Sequence, residues 1–404
     1  MKSTKKIMCL LLFAAGSVLA TPAVAAETHG ITDDTITLGT IQDLSGPLAQ
    51  LSKEALNGML MAVDEVNADG GINGRKLDLK VADHGYQPQK AVLAARRMIQ
   101  REHIFAVIQE MGSVTTMATI PILKQNNVLS LFPLSGDAAT YLPRDPLKWS
   151  TSPPYAVGSR MGVQYLVDHN DYKKVCVTYQ NDEYGSEVLR GVEEILPYKS
   201  AKLVLKVSFP RGTTNFTSNV AKLKAANCDL VVIGAALREP VAIMKTAQKL
   251  GWHPAFLGNT GTFSRRLPEL GGEVTNGLYA PGLIHMPYTD GAVSKDLEQW
   301  AQAYHKRFGL TPDVFGAYGY MSIKLFAHIA KDAGKTLTVD SFIKAIEQTK
   351  FDDKLFGASF EFSAKQHEGL STMFLSKVEN GKWTPVTDPM PIKRRWPLNS
   401  KYAE

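Results

Sequence analysis

The sequence predicts an α/β protein of two lobes, each a doubly wound parallel sheet, joined by three hinge crossovers. Three observations predict it. Leu38 to Asp83 reads as one βαβ unit: an apolar strand, the small-residue loop Ser45-Gly46-Pro47, an amphipathic helix and a Gly-rich turn from Asn67 to Arg75. Strand-like and helix-like segments then alternate in two series, one on either side of the Pro-rich stretch from Pro143 to Pro154. Beyond Leu278 a helical block precedes a further pair of strands, so the chain returns to the first lobe and then crosses again.

In chain order, residues 1–26 read as an export signal. Lys2, Lys5 and Lys6 form a basic head, Ile7 to Leu19 is apolar, and Ala23-Val24-Ala25 offers a small-x-small cleavage site, so the mature chain starts at Ala26 or Glu27. The apolar run is too short to span a membrane comfortably, and Cys9 lacks the small-residue context of a lipid attachment site. The first series has strands at 36–41, 76–82, 105–108 and 128–132. Its first helix carries Leu56, Leu60, Val63 and Val66 every three to four residues. Further helices fall at 89–101 and 114–125.

The second series has strands at 174–179, 202–209, 230–234 and 255–257, with helices at 155–169, 184–196, 216–226 and 240–250. Strands alternating with helices of this length imply parallel sheets covered on both faces. Helices follow at 294–308, 314–333 and 339–349, then the antiparallel-looking pair 358–362 and 372–377. Crossovers are expected near 147–154, 279–285 and 352–360. The lobes would comprise 27–149 with 281–354, and 150–280 with 355–404. The last 20 residues are Pro-rich and expected to be irregular.

Removing 26 of the 404 residues leaves about 378, enough for two domains of ordinary size. The signal lysines account for half of the formal charge of +6, leaving about +3 with mixed signs and no basic stripe, which argues against a nucleic-acid partner. Two cysteines survive, Cys176 mid-strand and Cys228 just before a strand. In parallel strands starting at one edge they would be offset by roughly four residues, about 13 Å. That is beyond disulfide reach, so two free buried thiols are expected.

Catalytic constellations are missing. There is no G-x-S-x-G, no H-E-x-x-H and no G-x-G-x-x-G after a strand. Ala333-Gly334-Lys335-Thr336 imitates the end of a phosphate loop, but Ile329 stands where its first glycine belongs. The nine histidines show no ligand spacing, so neither a metal nor a cofactor is expected.

What remains is a set of loops at strand carboxyl ends, where open α/β sheets bind ligands. Ser45 to Leu51 follows the first strand, and Glu110-Met111-Gly112-Ser113 follows the third. Ser113, at a helix start, suits a ligand carboxylate and equally suits an ordinary N-cap. Pro133-Leu134-Ser135-Gly136 adds a hydroxyl, or is simply a turn. The second series contributes Asp182 to Gly185, Ala236-Leu237-Arg238 and Asn259 to Phe263. Arg238 could fork onto a second acidic group or remain a solvated surface arginine. Tyr155, Tyr184, Phe263 and Tyr318 could wall an apolar pocket, or belong to the core.

These residues resemble a known family. Leu44-Ser45-Gly46-Pro47-Leu48-Ala49, Asn57-Gly58, Glu65-Val66-Asn67 and Gly70-Gly71-Ile72-Asn73-Gly74-Arg75 look like the opening of the Leu/Ile/Val-binding family. Its members are type I periplasmic solute-binding proteins of ABC transporters. The likeness continues through Ala94-Ala95-Arg96, Tyr184-Gly185, Asn215-Phe216-Thr217 and Gln248-Lys249-Leu250-Gly251, across essentially the whole mature chain. It implies the type I periplasmic binding protein fold, with a ligand held in the cleft between closing lobes. By position, Ser113 matches the serine that holds the ligand carboxylate, and Ser135 and Gly136 fall in the second loop of the first lobe. Leu51 stands where amino-acid binders often carry an aromatic, and Tyr184 matches a second-lobe tyrosine.

Two departures bear on the ligand. Thr260 occupies the place where leucine binders carry an acid for the ligand ammonium, and Ala236 and Leu237 replace a tyrosine that assists it. A buried ammonium without a carboxylate is costly. With Leu51, Met111, Phe132, Leu134 and Leu237 nearby, the resemblance favours an aromatic or branched aliphatic acid. Asp137, Glu110 or Asp182 could still supply charge for a branched-chain or aromatic amino acid. The expected role is a monomeric periplasmic receptor that does no chemistry, inserts in no membrane and delivers its solute to an inner-membrane ABC permease. A sensory subunit reporting ligand occupancy to a membrane receptor is the alternative.

Overall fold

The computed structural model describes residues 29–291 and 293–392. The expected export signal lies outside them. The first sheet contains β1 (Thr35–Gln42), β2 (Lys76–Asp83), β3 (Ala106–Ile108), β4 (Leu129–Leu131) and β5 (Lys148–Trp149), in the order β2-β1-β3-β4-β5, all parallel. Its helices are α1 (Ala49–Ala68), α2 (Pro88–Gln100) and α3 (Ser113–Gln125). One face carries α2 and α3 over a small core of Ile41, Ala95, Met98, Ile104 and Val107.

The second sheet begins after α4 (Tyr155–His169) with β6 (Lys174–Gln180), α5 (Glu183–Ile195), β7 (Lys202–Phe209), α6 (Thr217–Ala225), β8 (Leu230–Gly234), α7 (Arg238–Lys249), β9 (Ala255–Leu257), α8 (Arg266–Gly271) and β10 (Tyr279–Gly282). The chain then leaves this sheet for α9 (Lys295–Phe308), α10 (Val314–Asp332) and α11 (Val339–Ile346), and α10 lies along α1 of the first lobe. The two helices come close enough that a Cβ on Gly58 would stand 1.9 Å from the Gly316 carbonyl oxygen, and one on Gly319 2.0 Å from that of Ala55. Glycine is what permits this contact.

A short antiparallel ladder of β11 (Lys350–Asp353) and β12 (Ala358–Glu361) leads back to β13 (Thr372–Glu379), β14 (Lys382–Pro385) and β15 (Met390–Pro391). These complete the order β14-β13-β10-β9-β8-β6-β7, with β15 on β13. The chain therefore passes three times between the sheets.

Several expectations need correction. The segments 358–362 and 372–377 do not form a ladder with each other. The first pairs with β11 and the second runs antiparallel to β10. Tyr279–Gly282, expected within a crossover, is a strand of the second sheet, and the Pro-rich tail contains β15.

The cysteines are not free: Cys176 and Cys228 form a disulfide, with Cα atoms 5.8 Å apart. Val175 pairs with Leu230, so a straight strand would indeed leave Cys228 three residues short of Cys176. The chain is not straight there. Asn227 is left-handed (φ 55°) and the Cys228 N–H bonds back to the Leu223 carbonyl, so the turn ending α6 folds Cys228 over β6. A cross-link spanning 52 residues stabilises by about 4 kcal/mol on loop-closure entropy. Replacing both cysteines by serine is expected to lower unfolding free energy by about 2–4 kcal/mol in a urea titration.

Candidate functional site

Strand order reverses between β1 and β3 in the first sheet and between β6 and β8 in the second. The connections beyond those carboxyl ends diverge to opposite faces and leave a gap. The two gaps face each other across a narrow crevice with a cavity volume of about 30 Å³. The first lobe contributes Leu48, Leu51, Tyr86, Met111, Ser113, Leu134 and Phe315; Tyr155, Tyr184, Ala236 and Gly261 come from the segment that builds the second. No lining side chain carries a charge at neutral pH.

The polar floor is built of hydroxyls. Ser113 opens α3 and is 1% exposed; its Oγ lies 2.7 Å from Ser135 Oγ. It caps no backbone group, because Gly112 holds the N-cap position, and its hydroxyl pairs with that of Ser135 instead. Ser135 also accepts the Asp137 N–H. Gly136 lies under the Tyr155 ring, where a Cβ would come within 2.8 Å of it, and its carbonyl accepts the Tyr155 N–H. Tyr155 packs on Tyr184 at 4.7 Å, and the Tyr184 hydroxyl donates to Asn259, whose amide is held by the Ile233 and Ala235 carbonyls. Burial pushes both phenols well up, so they remain neutral donors.

Direct contacts join the lobes around this crevice. Gln180 donates to the Tyr86 hydroxyl at 3.4 Å, and Arg211 donates to the Tyr86 carbonyl. On the opposite rim the buried Glu54 of α1 accepts from Arg266 of α8 and from the Tyr304 hydroxyl. Arg266 also donates to the Thr311 carbonyl, and Ser264 donates to Asp313.

Residues 35–382 match the family described as periplasmic binding protein. The chain belongs to that family. Within it the protein is of the Leu/Ile/Val-binding type. It is 29% identical over 294 residues to Leu/Ile/Val-binding protein homolog 7 of Brucella abortus, covering 69% of this chain and 72% of that one. A fatty acid ABC transporter substrate-binding protein from Thermomonospora curvata superposes with a TM-score of 0.79 at 22% identity, covering 91% of this chain and 95% of the other. A solute-binding protein from R. palustris in complex with benzoate gives 0.77 at 17%, covering 89% and 98%. Among the described residues of this binding protein, no helix is long and apolar enough to cross a membrane, and no group of side chains is arranged to hold a metal ion.

The sequence-derived residues of this periplasmic binding protein divide clearly. Leu51, Met111, Ser113, Leu134, Tyr155 and Tyr184 line the crevice, with Ser135 and Gly136 directly beneath. Phe263 does not: it is 1% exposed and packs on Phe374 and Trp383 in the second-lobe core. Leu237 is buried behind Ala236, and Arg238 is exposed at the first position of α7, off the lining. Thr260 is buried beside Gly261, which lines the crevice in its place.

Tyr86 and Phe315 were not anticipated. Tyr86 follows β2, so the strand-end rule that found the other loops applies to it. Phe315 follows no strand and gives no such signal.

Beneath the floor, Glu110 precedes Met111 and is fully buried, accepting only the Thr119 hydroxyl. Burial lifts its carboxyl from 4.5 to about 8, against the pull of that hydrogen bond. The folded protein thus holds a proton that the unfolded chain releases above pH 4.5, and stability falls as pH rises from there to about 8. Glu110→Gln preserves the neutral shape. Thermal unfolding should show it flattening that pH dependence and stabilising the protein by about 1–3 kcal/mol above pH 8.

Proposed function

We propose that this binding protein captures a small carboxylate-bearing apolar solute between its lobes and passes it unchanged to an inner-membrane ABC permease. The observation that carries the reading is the pair of buried hydroxyls, Ser113 and Ser135, in the floor of an apolar, uncharged crevice. Neutral O–H donors suit a carboxylate, which accepts only. Aromatic rings of Tyr86, Tyr155, Tyr184 and Phe315 suit a flat or branched apolar body.

An α-ammonium would meet no carboxylate on this lining, and burying it unpaired is expensive. The place where the family's leucine binders are expected to carry an acid is threonine here, Thr260. The likeness to a fold that holds benzoate supports an architecture that houses an acid without an amino group. A solute touching both lobes favours closure by its differential contacts, and the solute leaves as it came.

Calorimetric titration of the mature protein with benzoate, 3-methylbutanoate, 4-methyl-2-oxopentanoate and leucine tests this. An acid lacking the amino group is expected to bind, and at 100 times its dissociation constant to stabilise the fold by about 2.7 kcal/mol. Ser113→Ala should weaken that binding by about 1–3 kcal/mol, the worth of a hydrogen bond to a charged group. Binding of leucine alone, or an unchanged affinity in the serine variant, would remove the proposal.

A further inference from the structure

Tyr86 lines the crevice from the first lobe, yet its polar atoms are held by the second. Gln180, at the end of β6, donates to the Tyr86 hydroxyl at 3.4 Å, and Arg211, just after β7, donates to the Tyr86 carbonyl at 3.3 Å. The Arg211 guanidinium also stands 5.6 Å from the centre of the Tyr86 ring, within cation–π range. Asp182, which caps α5, ties the two together: it accepts from Gln180 at 2.5 Å and lies 3.8 Å from Arg211. None of these three second-lobe side chains lines the crevice.

The first lobe holds Tyr86 in a posture that a tyrosine does not favour by itself. Its backbone is left-handed (φ 58°), a conformation costly for a bulky side chain and characteristic of ligand clamps and switch regions. The Tyr86 N–H donates to His84 Nδ1 at 2.8 Å, and His84 Nε2 donates to the Met111 carbonyl at 3.0 Å. His84 is completely buried, and burial lowers its pKa to about 4, so the ring stays neutral and keeps both bonds. The Tyr86 ring occupies space that only glycine leaves at position 112, where a Cβ would stand 2.5 Å from its Cε2. Its posture is thus fixed within the first lobe, ready for the second to meet.

We propose that Tyr86 is the positioning residue that links solute binding to lobe closure: the solute packs against it inside the crevice, while Gln180 and Arg211 clasp it from the other lobe. The inference rests on the reading of the crevice as the solute site, and not on the solute being an acid. Every contact of the clasp crosses between the lobes, so separating them as rigid bodies breaks all of it at once. A solute resting on Tyr86 is enclosed only when the lobes meet, and the clasp forms only then. Each therefore favours the other, and linkage makes the effects equal: the factor by which the clasp raises the closed fraction is the factor by which it tightens binding.

Arg211→Ala in the mature protein tests this, because Arg211 stands outside the crevice lining. Spin labels introduced at Leu93→Cys on α2 and Val204→Cys on β7, both exposed positions, report the distance between the lobes by double electron–electron resonance. Without solute, the closed fraction is expected to fall about tenfold, the worth of a hydrogen bond from a charged group. Calorimetric titration with benzoate, 3-methylbutanoate, 4-methyl-2-oxopentanoate and leucine should show each solute that binds weakened by the same factor, with the order among them unchanged. Tyr86→Phe keeps the ring, loses the hydroxyl that Gln180 grips, and should move both readouts the same way by a smaller factor. The distances are read on folded protein, so a simple loss of stability does not reproduce the shift.

An unchanged closed fraction in Arg211→Ala would overturn the clasp. So would an affinity that falls while the closed fraction stays constant, because the arginine would then act on the crevice itself. A closed fraction that falls with no loss of affinity would overturn the link. Binding of leucine alone would remove the reading of the serine floor and leave this inference standing, since the ratio is measured on whichever solute binds. Failure of all four to bind the parent protein would overturn both.

Discussion

Parallel strands deliver all their carboxyl ends to one edge of a sheet, and a reversal of strand order forces the neighbouring connections onto opposite faces. Everything functional in this protein depends on that constraint acting twice. The β1/β3 gap of one sheet opposes the β6/β8 gap of the other, so loops far apart in sequence meet in one crevice. Ser113 and Tyr184 are in this respect equivalent: each sits at the start of the helix that follows a strand beside a reversal. The late return of the chain supplies what the strand ends do not. By laying α10 along α1, it brings Phe315 to the crevice from a helix start with no strand in front of it.

The seam between the lobes is polar where the lobe interiors are apolar. Glu54 with Arg266, Ser264 with Asp313, and Gln180 with Tyr86 all cross it. Ion pairs taken out of water recover little more than their desolvation cost, so such a seam fixes the geometry of closure without making it strongly favourable. That suits the proposed role, in which closing is decided by what lies inside. A seam of leucines would close regardless of the crevice contents, and occupancy would then shift the equilibrium very little.

Much of this was legible in the sequence. The helices and strands of both series were readable because their apolar spacing and punctuation agree, and the crevice loops followed from the strand-end rule. The misses have local causes. Tyr279–Gly282 contains Pro281 and borders a crossover, so nothing in its composition marks a sheet strand; pairing with β13, far along the chain, makes it one. The disulfide was hidden because an offset argument treats Cys228 as part of a strand, whereas it sits in the turn before it. Phe263 and Leu237 have the chemistry of a ligand wall and the burial of a core, a distinction that only tertiary packing makes.

On the proposed reading, the hydroxyl floor would let a receptor of this kind hold an anion and still release it. An arginine fork would give the strongest grip on a carboxylate, but it carries a charge that needs a partner when the crevice is empty. Ser113 and Ser135 satisfy one another in the meantime. A carboxylate bound as proposed replaces a hydrogen bond that already exists instead of rescuing buried orphans, and the net gain at this end is modest. Selectivity must then come from the rest of the cavity, from the shape of its aromatic walls and from polar atoms that only the right solute can satisfy.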